Sequence, residues 1–194
     1  MSSRESILES IKKHTKAKHE MPSLEIINPL TYADNIQAFC DMEKIVGGTA
    51  HVLKQGEDID QVIKTYFPDA KRIGSVLPFI KCATYNPNEV EKVQDLNGTD
   101  VAVVQGKIGV AENAAVWVSQ ELETYKAIYF IAEALVVLVD RNEIKTNMHE
   151  AYAWLEKHDY KFGAFISGPS KTADIEQALV FGAHGARQVL VILT

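Results

Sequence analysis

Cysteine is scarce in this 194-residue chain, which has two, Cys40 and Cys82, far apart in sequence. They form no Cys-x-x-Cys pair. An iron–sulfur cluster or a structural zinc usually needs about four cysteine or histidine ligands, so we expect this chain to hold no metal and no cofactor of its own. A disulfide between them is open in principle, but two cysteines without a secretion signal are more typical of a reducing compartment.

Long apolar runs are also missing. A membrane-spanning helix needs roughly 20 apolar residues, whereas the longest runs here, Ala134–Val139 and Val189–Leu193, have the length of strands. The first residues, Met1–Glu5, are polar and lack the apolar segment of a secretory signal. We therefore expect a cytoplasmic protein without a membrane span.

Basic residues are outnumbered, with 20 Lys and Arg against 26 Asp and Glu and a formal net charge of −6. The basic residues are spread along the chain, which argues against a nucleic-acid partner. The motifs of common enzymes are absent too: no Gly-x-Gly-x-x-Gly follows a strand, His149-Glu150 has no second histidine, and no Gly-x-Ser-x-Gly occurs. These absences leave the usual nucleotide-binding, zinc-hydrolase and serine-hydrolase classes without support.

What the chain does contain is an alternation of strand-like and helix-like segments. This pattern, with 46% hydrophobic residues, predicts a three-layer α/β fold with a largely parallel sheet around one core. Residues 1–28 are interpreted as a helical arm and linker, and residues 29–194 as the α/β domain. The arm's narrow apolar stripe favours docking on a partner or a second copy of the chain.

Some individual elements are predicted as well. A helix over Tyr32–Val46 is expected to end at Gly47-Gly48, since glycine often terminates helices. Gly106 and Gly109 predict a turn after a short strand, and Gln120–Ala127 predicts a helix. The region Val101–Val139 is rich in strands and poor in helix, so part of the sheet is expected to be antiparallel.

The polar turn after the apolar run Phe162–Ile166 is the strongest candidate site. A helical pattern to about Phe181 and a last strand, Val189–Leu193, follow it, which predicts a β-α-β unit. Ligands of open α/β sheets bind at the carboxyl ends of strands, and a helix start there can hold an anion. The candidate anion ligands are Gly168, Ser170, Lys171, Thr172 and Asp174. The alternative is that the acidic residues at this helix start already supply the negative charge that the helix end favours. The segment is then an ordinary capped turn without a ligand.

The loop Gly182–Arg187 joins that helix to the last strand. In a β-α-β unit it lies at the opposite end of the sheet from Thr172, so His184 and Arg187 are not expected to share a site with Lys171. We interpret His184 and Arg187 as structural or interface residues.

Glu112 is a third candidate, because it stands inside the apolar stretch Val110–Val118. A desolvated glutamate has a raised pKa and can act as a nucleophile or a general acid. It is the candidate catalytic residue of the chain. The alternative is that it lies on the exposed side of an alternating strand.

The segment Ser167–Glu176, followed by Gly182–Arg187 and a terminal apolar strand, resembles the lactate utilisation protein C family, which carries the LUD domain. The resemblance implies a fold like that of glucosamine-6-phosphate isomerase, ribose-5-phosphate isomerase and the CoA transferases. It also implies a role in bacterial oxidation of L-lactate to pyruvate beside iron–sulfur partner proteins, with the clusters in those partners.

The chain departs from the family in two places. Where the family usually has Ala-Glu-Thr-Gly-Thr, this chain has Ala111–Ala115 with the sequence Ala-Glu-Asn-Ala-Ala, so the acid is kept and the glycine and both hydroxyls are lost. The stretch Ile131–Ala134 lacks the family's usual proline and histidine. If those groups bind the family's ligand, this member binds a different ligand or none.

Three functions stay open from the sequence. The chain is an accessory component of a lactate-oxidising assembly, an enzyme of the CoA-transferase or sugar-phosphate isomerase type, or a module that binds a small anionic ligand. The transferase interpretation depends on Glu112, since a glutamate in a similar segment of CoA transferases forms the acyl intermediate.

Overall fold

The computed structural model of the chain describes residues 3–15, 19–20, 22, 28–172, 180, 182 and 184–194. The helices are α1 (Ser3–His14), α2 (Asn35–Ile45), α3 (Ile59–Tyr66), α4 (Ile128–Ile131) and α5 (Met148–Leu155). The strands are β1 (Thr49–Val52), β2 (Ile73–Ser75), β3 (Val101–Val110), β4 (Ala115–Ser119), β5 (Ala134–Val139), β6 (Ile144–Lys145), β7 (Gly163–Ser167) and β8 (Gln188–Leu193).

The strands form one eight-stranded sheet in the order β1-β8-β5-β3-β4-β7, with β2 and β6 also paired to β3. The pairs β1–β8, β8–β5 and β5–β3 are parallel, whereas β3–β4 and β4–β7 are antiparallel. The predicted α/β class with a largely parallel sheet is therefore confirmed, as is the antiparallel part.

The sheet is covered on both faces, which accounts for the unbroken apolar strands. Along β5, Leu135, Val137 and Val139 join one buried cluster and the alternating residues join another. The first cluster includes residues of α2 and α4, and the second includes residues of α3. A strand buried on both faces has no polar side, which is typical of parallel sheets between helices.

The predicted turn at Gly106 and Gly109 is wrong, because β3 runs straight through both residues. A Cβ atom on Gly106 would lie 2.9 Å from Val139, and one on Gly109 would lie 2.6 Å from Ile144. The glycines thus make room for neighbouring side chains within the sheet. They do not end the strand, although the register shifts between Gly106 and Ile108.

The helix predicted over Gln120–Ala127 is also wrong. Its backbone is bonded by a neighbouring loop: Asn88 accepts from the Thr124 amide at 2.7 Å and donates to the Leu122 carbonyl at 2.7 Å. Glu123 is buried and accepts a 2.7 Å bond from the Tyr129 hydroxyl. Tertiary hydrogen bonds therefore replace the helical ones, and α4 begins only at Ile128.

Helix α2 matters most for the site. Asp34 caps its start by accepting from the amides of Ile36 and Gln37, as an N-cap aspartate does. Phe39 and Glu43, one turn apart, are its buried residues. The helix ends before Gly47, whose φ of +85° is the left-handed conformation of a helix terminator, so the predicted stop at Gly47-Gly48 agrees with the structure.

Helix α1 buries none of its residues, and Ile7 and Ile11 are each 57% exposed. The boundary between an arm at 1–28 and a domain at 29–194 stays a prediction. None of the helices in the described part of the chain has the length and apolar character needed to cross a membrane.

Candidate functional site

Glu112 lies in the tight turn between β3 and β4 and is half-buried. Its Oε2 accepts a 2.8 Å hydrogen bond from the Met148 amide, the first residue of α5, while Asn147 caps the same helix by accepting from the Glu150 amide. A carboxylate at a helix start is stabilised by the free amides there. The geometry thus assigns Glu112 a structural contact that the sequence did not predict.

The turn after Glu112 explains one family departure. Ala114 has a φ of +54°, a conformation that favours glycine, and glycine is what the family usually has at this position. Asn113 supports the turn, since its Oδ1 accepts from the Ala115 amide at 3.1 Å and its carbonyl accepts from the Ser167 hydroxyl at 2.7 Å. This chain therefore adopts a glycine-favouring conformation at Ala114 without a glycine.

The turn Gly168–Thr172 lies against the end of α2. Gly168 has a φ of +60°, and a Cβ there would lie 2.7 Å from the Val46 carbonyl oxygen. The Lys171 ammonium donates a hydrogen bond to that same carbonyl, and a cation at the negative end of a helix is favourable. Lys171 therefore fastens this turn to α2.

Two of the backbone amides of this turn are used within the protein. The Ser170 amide donates to the Ala186 carbonyl at 2.9 Å, and the Thr172 amide donates to the Val180 carbonyl at 3.1 Å. The Thr172 hydroxyl accepts from the Val180 amide at 3.2 Å. Two amides predicted to face an anion are thus already bonded. Asp174 lies outside the described residues, as do residues 173–179 and 181 of the helix predicted from this turn.

The expected separation between this turn and the loop Gly182–Arg187 is wrong. Besides the bond to Ala186, the Ser170 carbonyl accepts from the Gly182 amide at 3.0 Å. Ser170 and His184 line the same cavity. The β-α-β assumption fails because β7 does not neighbour β8: it joins the antiparallel edge beyond β4, with three strands between them.

Arg187 shares an open cleft of about 810 Å³ with His184 but does not line the smaller cavity beside Ser170. Its amide donates to the Glu133 carbonyl at 2.8 Å, and its exposed side chain lines an open cleft of about 420 Å³ with Asp100 and Glu133. Gly182, with a φ of +79°, leaves room for this side chain, since a Cβ there would lie 3.1 Å from Arg187 Cδ. The interface interpretation of His184 and Arg187 stays a prediction.

Glu43 is the residue that the search for catalytic motifs missed. Its side chain is 0% exposed, and neither carboxyl oxygen has a hydrogen-bond partner within the described structure. Burial raises its pKa from the ordinary 4.5 to about 8, and the nearby Lys171 lowers it in part. A sequence signal existed, because Glu43 follows Phe39 by one helical turn on the apolar face of α2.

The chain makes room for Glu43 with a glycine. A Cβ on Gly48 would lie 2.8 Å from Glu43 Cδ and still closer to Oε1. The second residue of the Gly47-Gly48 pair therefore has a packing role in addition to ending α2. Glu43, Gly48 and Lys171 bring together the end of α2 and the turn Gly168–Thr172.

A cavity of about 190 Å³ lies between this turn and the loop before β8. Its polar wall includes Gly168, Ser170 and His184, and its apolar wall includes Leu135 and Ile166. Within the described ranges, no three His, Cys, Asp or Glu side chains are grouped to hold a metal ion. The arrangement offers a small, mixed polar and apolar space.

The model of the LUD domain matches residues 79–194, more than half of the chain. The chain belongs to the LUD domain family. The predicted resemblance is thereby confirmed. The match contains both the Glu112 turn and the two C-terminal segments, whereas Glu43 and Gly48 precede it.

Curated relatives match the same part of this LUD protein. "Lactate utilization protein C" of Geobacillus kaustophilus is 30% identical over 100 residues, which are 48% of this chain and 42% of that protein. "Lactate utilization protein C" of Anoxybacillus flavithermus is 29% identical over 114 residues, 58% of this chain and 50% of that protein. The chain thus spans half or less of the length of these relatives.

A solved structure shares the fold. The crystal structure of a DUF162 family protein from Deinococcus radiodurans superposes with a TM-score of 0.62 at 18% identity, and the match covers 85% of this chain and 99% of that one. At this identity the similarity shows the fold alone. It extends the comparison to parts of the LUD protein that precede the matched family region.

Proposed function

We propose that this LUD protein is an accessory component of L-lactate utilisation, acting in the oxidation of lactate to pyruvate in the bacterial cytoplasm. The observation that supports this proposal is the similarity of its LUD region to proteins named lactate utilization protein C. The proposal concerns a role beside other proteins, since the chain matches half or less of those relatives.

We further propose that the iron–sulfur clusters of such an assembly are held by partner proteins. Cys40 packs against the cluster of apolar residues on one face of the sheet, and Cys82 belongs to the cluster on the other face. Two thiols on opposite faces do not converge on one cluster. This placement supports a chain that leaves electron transfer to its partners.

Deleting the gene in its own host tests the proposal. Growth on L-lactate as the carbon source is expected to fail and growth on pyruvate to continue, with rescue by the wild-type gene. Affinity purification of the tagged chain from lactate-grown cells is expected to recover proteins with iron–sulfur absorption. Unimpaired growth of the deletion strain on L-lactate would contradict the proposal.

A second function, the binding of a small carboxylate, is favoured by the 190 Å³ cavity beside Ser170 and His184. A thermal-shift titration with L-lactate, pyruvate, sugar phosphates and CoA esters tests it. We expect stabilisation by a small carboxylate that is reduced in Ser170→Ala and His184→Ala and retained in the surface control Glu9→Gln. Equal shifts in all variants would place binding elsewhere.

The transferase hypothesis gains nothing from the structure, because the carboxylate that it requires as a nucleophile caps α5. If Glu112→Gln abolished a measured CoA-transfer activity while the fold stayed intact, that hypothesis would return.

A further inference from the structure

Glu43 is a buried acid that neither proposed function uses. Both of its oxygens lack a hydrogen-bond partner within the described structure, and the side chain is 0% exposed. Leaving a polar group buried and unbonded costs stability, so an apolar residue at this position of α2 would stabilise the fold more. A carboxyl group kept at this position despite its cost to stability indicates a role that depends on the ionisation of Glu43.

The surroundings of Glu43 form a junction between two chain segments. Gly48 packs on the carboxyl group, and Gly168 fits against the Val46 carbonyl only because it has no side chain. Lys171 donates to that carbonyl from the other segment. The end of α2 and the turn Gly168–Lys171 are therefore docked at the point where the acid is buried.

The charged groups around the junction leave Lys171 as the one that acts on Glu43. On α2 itself, Asp41 and Lys44 pair with each other at 3.0 Å. Of the strands packed on α2, β1 carries His51, which faces Glu57 at 3.0 Å, and β6 carries Lys145, which faces Glu143 at 2.9 Å. These charged groups have partners of their own, and Lys171 is the group that acts on the Glu43 carboxyl.

We propose that Glu43 is a proton-operated latch between α2 and the turn Gly168–Lys171. With the carboxyl protonated, the neutral side chain stays in the apolar space and the turn remains docked. Loss of the proton favours an undocked state in which the carboxylate is exposed to water and the turn, with Lys171, has left the Val46 carbonyl. Since Gly168 and Ser170 form one wall of the 190 Å³ cavity, undocking opens that cavity.

The linkage between proton binding by Glu43 and docking of the turn determines how the latch depends on pH. Burial raises the pKa of Glu43 from 4.5 to about 8 in the docked state, and the undocked carboxyl returns toward the ordinary value. The docked state therefore binds more protons between these two values, and the opening equilibrium rises about tenfold per pH unit across that window. Above the pKa of the docked state, the opening equilibrium no longer changes with pH.

Hydrogen–deuterium exchange with mass spectrometry tests the latch, with rates corrected for intrinsic exchange. Between pH 5 and 8, peptides covering residues 44–48 and 167–172 are expected to lose protection by roughly tenfold per pH unit. Peptides of β5 serve as the internal reference and stay more protected. The neutral isostere Glu43→Gln should abolish this dependence, and the matched surface variant Glu9→Gln should keep it.

Two results would overturn the latch: corrected exchange that is independent of pH in the wild-type protein, or the same dependence in Glu43→Gln. If Glu43→Gln does not fold, carboxyl ¹³C NMR on the wild-type chain decides the matter. A Glu43 titration well above the ordinary carboxyl range, accompanied by shifts of the Lys171 and Val46 signals, supports the latch, and an ordinary titration overturns it.

Discussion

Glu112 and Glu43 are two acids with apolar neighbours whose burial and hydrogen bonding differ within the same fold. Glu112 stands in an apolar run of sequence, yet its carboxylate is half-buried and bonded to the first amide of α5. Glu43 stands in a mixed helix among other polar residues, yet its carboxyl group is fully buried and unbonded within the described structure. The desolvation predicted for the first acid is thus found at the second.

The difference teaches that neighbours in sequence are a poor guide to the solvation of a side chain. Glu112 lies where a strand ends and a helix begins, and helix starts offer free amides to a carboxylate. Glu43 lies in the last turn of α2, where the amides are bonded within the helix and a helix end offers carbonyl groups, which cannot donate to a carboxylate. The position within an element decides which acid finds a partner.

The largest expected effect is the pH dependence that Glu43 gives to stability. Because the folded protein raises the pKa of this carboxyl from 4.5 to about 8, the folded state binds more protons in that window. The free energy of unfolding should therefore fall by up to about 1.4 kcal/mol per unit as the pH rises through it. Urea unfolding of wild type and Glu43→Gln at pH 5, 6, 7 and 8 measures this, and parallel profiles would refute it.

A smaller effect is expected from Gly48→Ala, which forces a methyl group against the buried carboxyl. Overpacking of this kind costs about 1–3 kcal/mol. In a Glu43→Ala background the same substitution should cost less than about 1 kcal/mol, because the obstructing atoms are gone. Denaturant unfolding of the four proteins of this cycle gives the coupling, and purely additive effects would show that the two residues do not touch.

On the side of Glu112, removal of the acid should act through α5. Glu112→Ala is expected to lower the free energy of unfolding by about 1–2 kcal/mol, as the loss of a helix cap does. Glu112→Gln keeps an acceptor for the Met148 amide and should lose less. Thermal unfolding compares these variants with Asn147→Ala, which removes the adjacent cap. If Glu112→Ala left the stability unchanged, the interpretation of Glu112 as a cap of α5 would be wrong.

The smallest net effect is expected at Ala114, where two terms oppose each other. Ala114→Gly relieves a φ of +54°, worth about 1–2 kcal/mol, but removes a buried methyl group worth about 0.8 kcal/mol. Ala111→Gly removes an equally buried methyl without that relief. In denaturant unfolding, the free energy of unfolding of Ala114→Gly should exceed that of Ala111→Gly by about 1–2 kcal/mol. Equal losses of stability in the two variants would contradict backbone strain at Ala114.

Sequence reasoning predicted the candidate turn and missed its surroundings. The apolar runs that became β5 and β8 were identified because strands buried on both faces carry no polar residues. Gly106 was misjudged, since a glycine that ends a strand and one that admits a neighbouring valine look alike in sequence. Ser170 and His184 were separated because strand order is a property of long-range pairing, which local periodicity does not encode.

The sequence by itself determined the α/β class, the membership of the LUD family and the end of α2, because these depend on local hydrophobic period, on motif spacing and on glycine. Only the tertiary structure decided that three strands separate β7 from β8, and that Ser170 and His184 share a cavity. It also decided that Glu43 is the desolvated acid. The solvation of a carboxyl group is set by whatever packs around it in space, and here that is Gly48 and a turn more than 120 residues further along the chain.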